Sequence, residues 1–63
     1  STSFRAYLQG ARMMRAMELL ARRDASVSST AHAVGFQSIG AFTTAFTERC
    51  GETPRAYRAR RMT

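Results

Sequence analysis

Apolar positions in the first third of the chain recur with a helical period, but the stripe they draw changes sides. In SFRAYLQGARMMRAMELLARR, Ser3 to Arg23, each residue turns a helix by about 100°, so Phe4, Tyr7, Leu8 and Ala11 share one face. Met13, Ala16, Met17 and Leu20 lie nearly opposite, where the first face has become Arg15, Glu18 and Arg22. The segment is rich in Ala, Leu, Met and Arg, all good helix formers, and Ser1, Thr2 or Ser3 can cap it. A helix packed on one core keeps one stripe. The switch therefore predicts a rod lying against two bodies, one at each end, or a helix surrounded on all sides by self-association.

Arg23, Asp24 and Ala25 form the only plausible linker, and the pattern then shortens. Ser26 is placed to cap a helix of about two turns carrying Val27, Ala31 and Val34 at i, i+4 and i+7. Gly35 supplies the left-handed residue that ends it, and Phe36 can fold back onto the same core. Ser38 can cap a third helix on which Ile39, Phe42, Ala45, Phe46 and Arg49 fall to one side, with Gly51 at its end. Thr53-Pro54 opens a fourth, PRAYRARR, because proline at the first helical position loses no hydrogen bond. Tyr57 is its expected core anchor, with Arg55, Arg58, Arg60 and Arg61 in solvent. The expectation is an all-α chain: one long helix, residues 1–24, then a helix-turn-helix with a short C-terminal helix, residues 25–63, as a homeodomain-like three-helix unit.

Size and charge narrow the partner. At 63 residues the chain is one small domain at most, burying about 60% of its unfolded surface. Ten basic residues stand against four acidic ones, for a formal charge of +6, which favours a polyanion: nucleic acid first, an acidic membrane surface second. All the basic residues are arginine, whose planar fork suits phosphate and guanine, although biased composition produces the same count. A single cysteine, Cys50, cannot form an internal disulfide and fits a reducing cytoplasm. No apolar run reaches the roughly 18 residues of a membrane span, and no signal-peptide layout is present.

Little in the chain resembles catalytic chemistry. Ser28, Ser29 and Thr30 have no base or orienting carboxylate at a useful spacing, so cap or backbone-phosphate roles are expected for them. Glu18, Asp24, Glu48 and Glu52 form no metal-ligand pattern. No enzyme, metal or cofactor is therefore expected. His32 lies off the apolar stripe and reads as an exposed residue, Cys50 as a small apolar one, and Met13, Met14 and Met17 as core filling.

Two short helices joined by a glycine turn, the second amphipathic and serine-capped, make a helix-turn-helix. In such a pair the outer face of the second helix can enter a major groove while the first crosses the backbone. The run GFQSIGAFTTAFTERCGETPRAYR resembles the C-terminal signature of the AraC/XylS family of bacterial transcription regulators. Gly35, Phe36, Phe42, Phe46, Gly51, Thr53, Pro54, Tyr57 and Arg58 carry the likeness. Upstream, Tyr7, Leu8, Arg12, Ala16 and Leu20 match the family's long connecting helix.

The resemblance implies a sequence-specific DNA-binding transcription regulator acting in the cytoplasm, with RNA polymerase as a partner of the full-length protein. Residues 1–24 become the connecting helix, and 25–63 the second of two helix-turn-helix units. The first unit and the effector domain would lie outside this sequence in cis, and Phe4, Tyr7, Leu8 and Ala11 would pack against that unit. The recognition helix would run from about 38 to 50, with Gln37, Ser38, Ile39, Gly40, Ala41, Thr43, Thr44 and Thr47 as its DNA-facing residues. Phosphate contacts would come from Arg12, Ser28, Arg55 and Arg58. The chain departs from the family pattern at three places: Thr44 stands where arginine is usual, Thr47 where lysine or arginine is usual, and Thr30 where isoleucine is frequent. Weak guanine reading, the loss of one phosphate contact and looser packing follow. The alternative from another class is a membrane-surface or protein-interaction module using the basic, amphipathic first segment.

Overall fold

The structure is a computed structural model describing residues 4–62, and the three candidate caps Ser1, Thr2 and Ser3 lie outside that range. Among the described residues four helices follow one another: α1 Phe4–Leu20, α2 Val27–Ala33, α3 Ile39–Cys50 and α4 Pro54–Met62. No strand occurs among the described residues.

Helix α1 stops at Leu20, short of residue 24 where the sequence placed its end. Its last turn holds no basic residue, and no glycine follows to close it. The closure comes from 38 residues away: the Arg58 guanidinium donates to the carbonyls of Leu20 at 3.2 Å, Arg22 at 3.0 Å and Arg23 at 3.3 Å. Meanwhile the Arg22 N–H tightens to the Leu19 carbonyl at 3.0 Å, a 3₁₀-type step that ends the α-helix. A cation at this end also complements the negative pole of the helix. Arg58, expected in solvent, is instead a structural clamp between α4 and α1.

The shorter helices close with their own residues. Ser26 and Ser29 form a reciprocal capping box: Ser29 N–H donates to Ser26 Oγ at 3.0 Å, and Ser26 N–H to Ser29 Oγ at 2.9 Å. At the other end of α2, Gly35 has φ +94°. Its N–H donates to the His32 carbonyl, and that of Phe36 to the Ala31 carbonyl at 2.9 Å, the paired bonds of a Schellman turn. Ser38 Oγ accepts from Ala41 N–H, and Thr53 Oγ1 from Ala56 N–H, each at 3.1 Å. These bonds satisfy donors that the first turns of α3 and α4 would otherwise leave open.

Met13, Ala16, Leu20, Ala31, Val34, Phe42 and Phe46 form the buried core. Phe36, Phe42, Phe46 and Tyr57 continue it as a chain of rings with centroids 5.6, 5.7 and 5.7 Å apart. Each tilted or edge-to-face pair adds about 0.5–1.5 kcal/mol beyond area burial. Only the second stripe of α1 enters this core. The first stands open, with Phe4 78% and Tyr7 68% exposed and Leu8 and Ala11 beside them.

Thr30 corrects the sequence reading. Expected as a cap or phosphate contact, and by the family likeness at a packed position where isoleucine is frequent, it is buried beside Ala31 as the second expectation has it, and its Oγ1 has no hydrogen-bond partner. Ser29, not Thr30, completes the cap of α2, and Thr30 occupies an apolar site with a polar atom.

Candidate nucleic-acid interface

The Schellman turn after α2 and the serine cap of α3 fix the angle between the two helices, and Phe36, seated against Phe42, ties the turn to the core. Helix α3 buries Phe42 and Phe46 inward. On the remaining surface Gln37, Ser38, Ile39, Gly40, Ala41 and Thr44 are all exposed, and Thr43 is half-buried. All eight residues expected on this surface therefore keep some access to solvent, six of them exposed and Thr43 and Thr47 half-buried.

Thr47 differs in its hydroxyl. The residue is half-buried, and its Oγ1 is enclosed without a partner, so this hydroxyl is not presented outward. Ile39 is expected from the sequence both on the apolar side of α3 and on its outer surface. At the first position of α3 it is 46% exposed, at the rim of the groove formed with α2 and α4.

Ser28, in the first turn of α2, and Arg55, in the first turn of α4, face one open groove that also takes in Ile39, Thr43 and Pro54. The groove thus gathers two helix N-termini beside the outer surface of α3, and helix N-termini attract anions. Both Ser28 and Arg55 are exposed. Arg12 reaches the turn from α1: its guanidinium lies 5.9 Å from the Phe36 ring centroid and packs beside Gly35. Cation–π contact of this kind holds a charge in place without neutralising it. Arg58 borders the groove as well, but Nη1 and Nη2 are bonded to backbone carbonyls.

Other charges are locally engaged. Arg60 pairs with Glu52 at 2.6 Å, which raises its pKa further above the ordinary arginine value, and Arg60 and Arg61 both lie over the Tyr57 ring. Arg49, expected on the inner side of α3, is exposed and reaches across to Gly10 of α1. Burial pushes the Cys50 thiol up, against the opposing pull of Arg49. His32 is exposed, as its place off the stripe indicates. Among the described residues no group of three or more His, Cys, Asp or Glu could hold a metal ion, and no helix is long and apolar enough to cross a membrane.

Sequence reasoning missed Arg58 as a clamp, because a side chain reaching carbonyls 35 to 38 residues away leaves no local signature. The absence of any cap at the end of α1 was the available signal.

Comparison with known proteins agrees with this architecture. The family described as "Helix-turn-helix domain", the helix-turn-helix of AraC-type regulators, matches residues 1–60. The chain is similar to the crystal structure of a DNA-binding transcriptional dual regulator from Escherichia coli K-12, with a TM-score of 0.94 and 31% identity over 97% of this chain. It spans 55% of the length of that protein. Comparison with curated protein sequences returned no match. With nearly the whole chain matched and a four-helix fold in agreement, this protein belongs to the helix-turn-helix domain family of AraC-type transcription regulators, which are not enzymes.

Proposed function

We propose that this chain binds duplex DNA by laying the outer surface of α3 in a major groove, as part of a transcription regulator. The observation that carries the reading is the exposed run from Gln37 to Ala41 and Thr44, on a helix fixed by a Schellman turn and a serine cap. Small residues there let the helix backbone come close to the base edges. No side chain from Ile39 to Thr47 offers a bidentate fork, so guanine is read poorly and discrimination by this helix rests on hydroxyls, methyl groups and the amide of Gln37. Affinity comes mainly from phosphates, held by Arg12, Arg55, the Ser28 hydroxyl and the N–H groups at the helix starts. Arg58 contributes by holding α4 in place.

On the same reading α1 is a connector. Its open stripe of Phe4, Tyr7, Leu8 and Ala11 packs on a first helix-turn-helix unit, residues 25–63 being the second, and an effector domain and RNA polymerase complete the cytoplasmic regulator. This assignment draws on the family and on a stripe that the core leaves unused.

The rival reading, a helix lying on an anionic membrane, would need α1 free along its length, yet Met13, Ala16 and Leu20 are committed to the core. Titration into duplex DNA and into vesicles of anionic lipid separates the two. DNA affinity should fall with a log–log salt slope of roughly −2 if Arg12 and Arg55 each neutralise one phosphate, with no vesicle-induced gain in helicity. Vesicle binding without salt-dependent DNA binding would overturn the proposal.

A further inference from the structure

We infer that α3 selects thymine through its 5-methyl group, with Ile39 as the specificity-determining side chain. The inference rests on the DNA-binding reading above and names the class of site that reading leaves open.

Ile39 is the observation that calls for a partner. It is a large apolar residue, 46% exposed, at the first position of a helix whose other large apolar residues, Phe42 and Phe46, are fully buried. The N-terminal residues of a recognition helix are the ones that meet base edges. Thr43 follows one turn later on the same side and adds a second methyl beside the same groove. Between them Gly40 leaves open space, since an added Cβ there would meet no atom within 4 Å. The base edge can therefore approach Ile39 without obstruction from its neighbour.

Of the groups displayed in the major groove, the thymine methyl is the apolar one, and apolar side chains recognise it by contact. A cytosine amino group or a guanine carbonyl set against Ile39 would lose water and gain no hydrogen bond. Gln37, exposed just before the Ser38 cap, has the amide that suits adenine N6 and N7. An apolar contact to thymine and an amide contact to adenine describe an A·T-rich step beneath the start of α3.

Selection of bound sites by the native chain from a random duplex library, followed by replacement of single thymines with uracil, tests this. Uracil removes the methyl and keeps every hydrogen-bonding group. Enriched sites should carry A·T pairs, and one uracil position should weaken native binding about fourfold, the equivalent of one methyl-sized apolar group buried. Ile39→Ala should lose most of the thymine preference, the Thr43 methyl alone remaining beside the groove, and Ile39→Val should retain an intermediate preference. Equal native affinity for the two duplexes, with the salt dependence preserved, would overturn the methyl assignment and leave DNA binding intact. Failure to enrich any duplex, with no salt-dependent binding, would overturn both.

Discussion

Replacing Arg58 by methionine separates a structural clamp from a DNA contact. The substitution keeps an apolar stem of similar reach and removes only the guanidinium. That group bonds the carbonyls of Leu20, Arg22 and Arg23 at 3.0 to 3.3 Å, where α1 has no cap of its own. A hydrogen bond to a charged donor contributes about 1.5–3 kcal/mol when shielded. Only the Leu20 bond is partly buried, and the other two compete with water, so the three together should contribute about 2 kcal/mol. In a domain of this size each kcal/mol moves the melting temperature by roughly 4–8 °C, which gives a fall of about 8–16 °C for Arg58→Met. Circular dichroism melts provide one readout, and the salt dependence of DNA affinity, measured well below the lowered midpoint, provides the other. A lost phosphate contact would reduce the magnitude of the salt slope by about 1, whereas a lost clamp leaves it unchanged. Arg55→Met should show the opposite pair of results, an unchanged melt and a shallower slope. An Arg58→Met chain that melts like the native one but has a shallower slope would refute the clamp.

Three further substitutions probe separate links between sequence and fold. Thr30→Val removes a buried hydroxyl that has no partner; leaving such a group unsatisfied costs about 1–3 kcal/mol, and valine matches threonine in shape and helix propensity, so the variant should melt higher, and a lower melt would show that the hydroxyl is satisfied. Phe42→Ala empties the centre of the ring chain at a fully buried position and should cost about 3–5 kcal/mol; against a total of about 3–9 kcal/mol for a chain of this length, loss of cooperative unfolding is expected, and near-native melting would remove Phe42 from the core. Thr44→Arg places a fork on an exposed position of α3 and should tighten DNA binding several-fold at low salt with little change in melting temperature; unchanged affinity across salt concentrations would count against the placement of α3 in the groove.

The parts of the fold that were legible in the sequence are those set by short-range chemistry. Ser26, Ser38 and Thr53 announce helix starts, because a side-chain oxygen must reach an N–H two or three residues ahead, and all three do so. Gly35 and Gly51 mark the ends, since both adopt positive φ. The change of stripe on α1 was also visible as periodicity, and it corresponds to the boundary between the open residues Phe4, Tyr7, Leu8 and Ala11 and the buried residues Met13, Ala16 and Leu20. What periodicity could not show was the tertiary use of individual polar groups. Thr30 and Thr47 each enclose a hydroxyl that has no partner, and only Arg58 reaches groups distant in sequence, the carbonyls 35 to 38 residues away. For the same reason the outer surface of α3 was readable from Gln37 to Ala41, where no other helix covers it, and less so at Thr43 and Thr47.

Amide chemical-shift mapping of the chain with a duplex enriched by selection tests the central claim most directly. The account predicts that signals of Gln37 to Ala41 and Thr44 shift together with those of Ser28 and Arg55, while Phe4, Tyr7 and Leu8 stay in place. Shifts confined to the open stripe of α1, with α3 undisturbed by DNA, would contradict it.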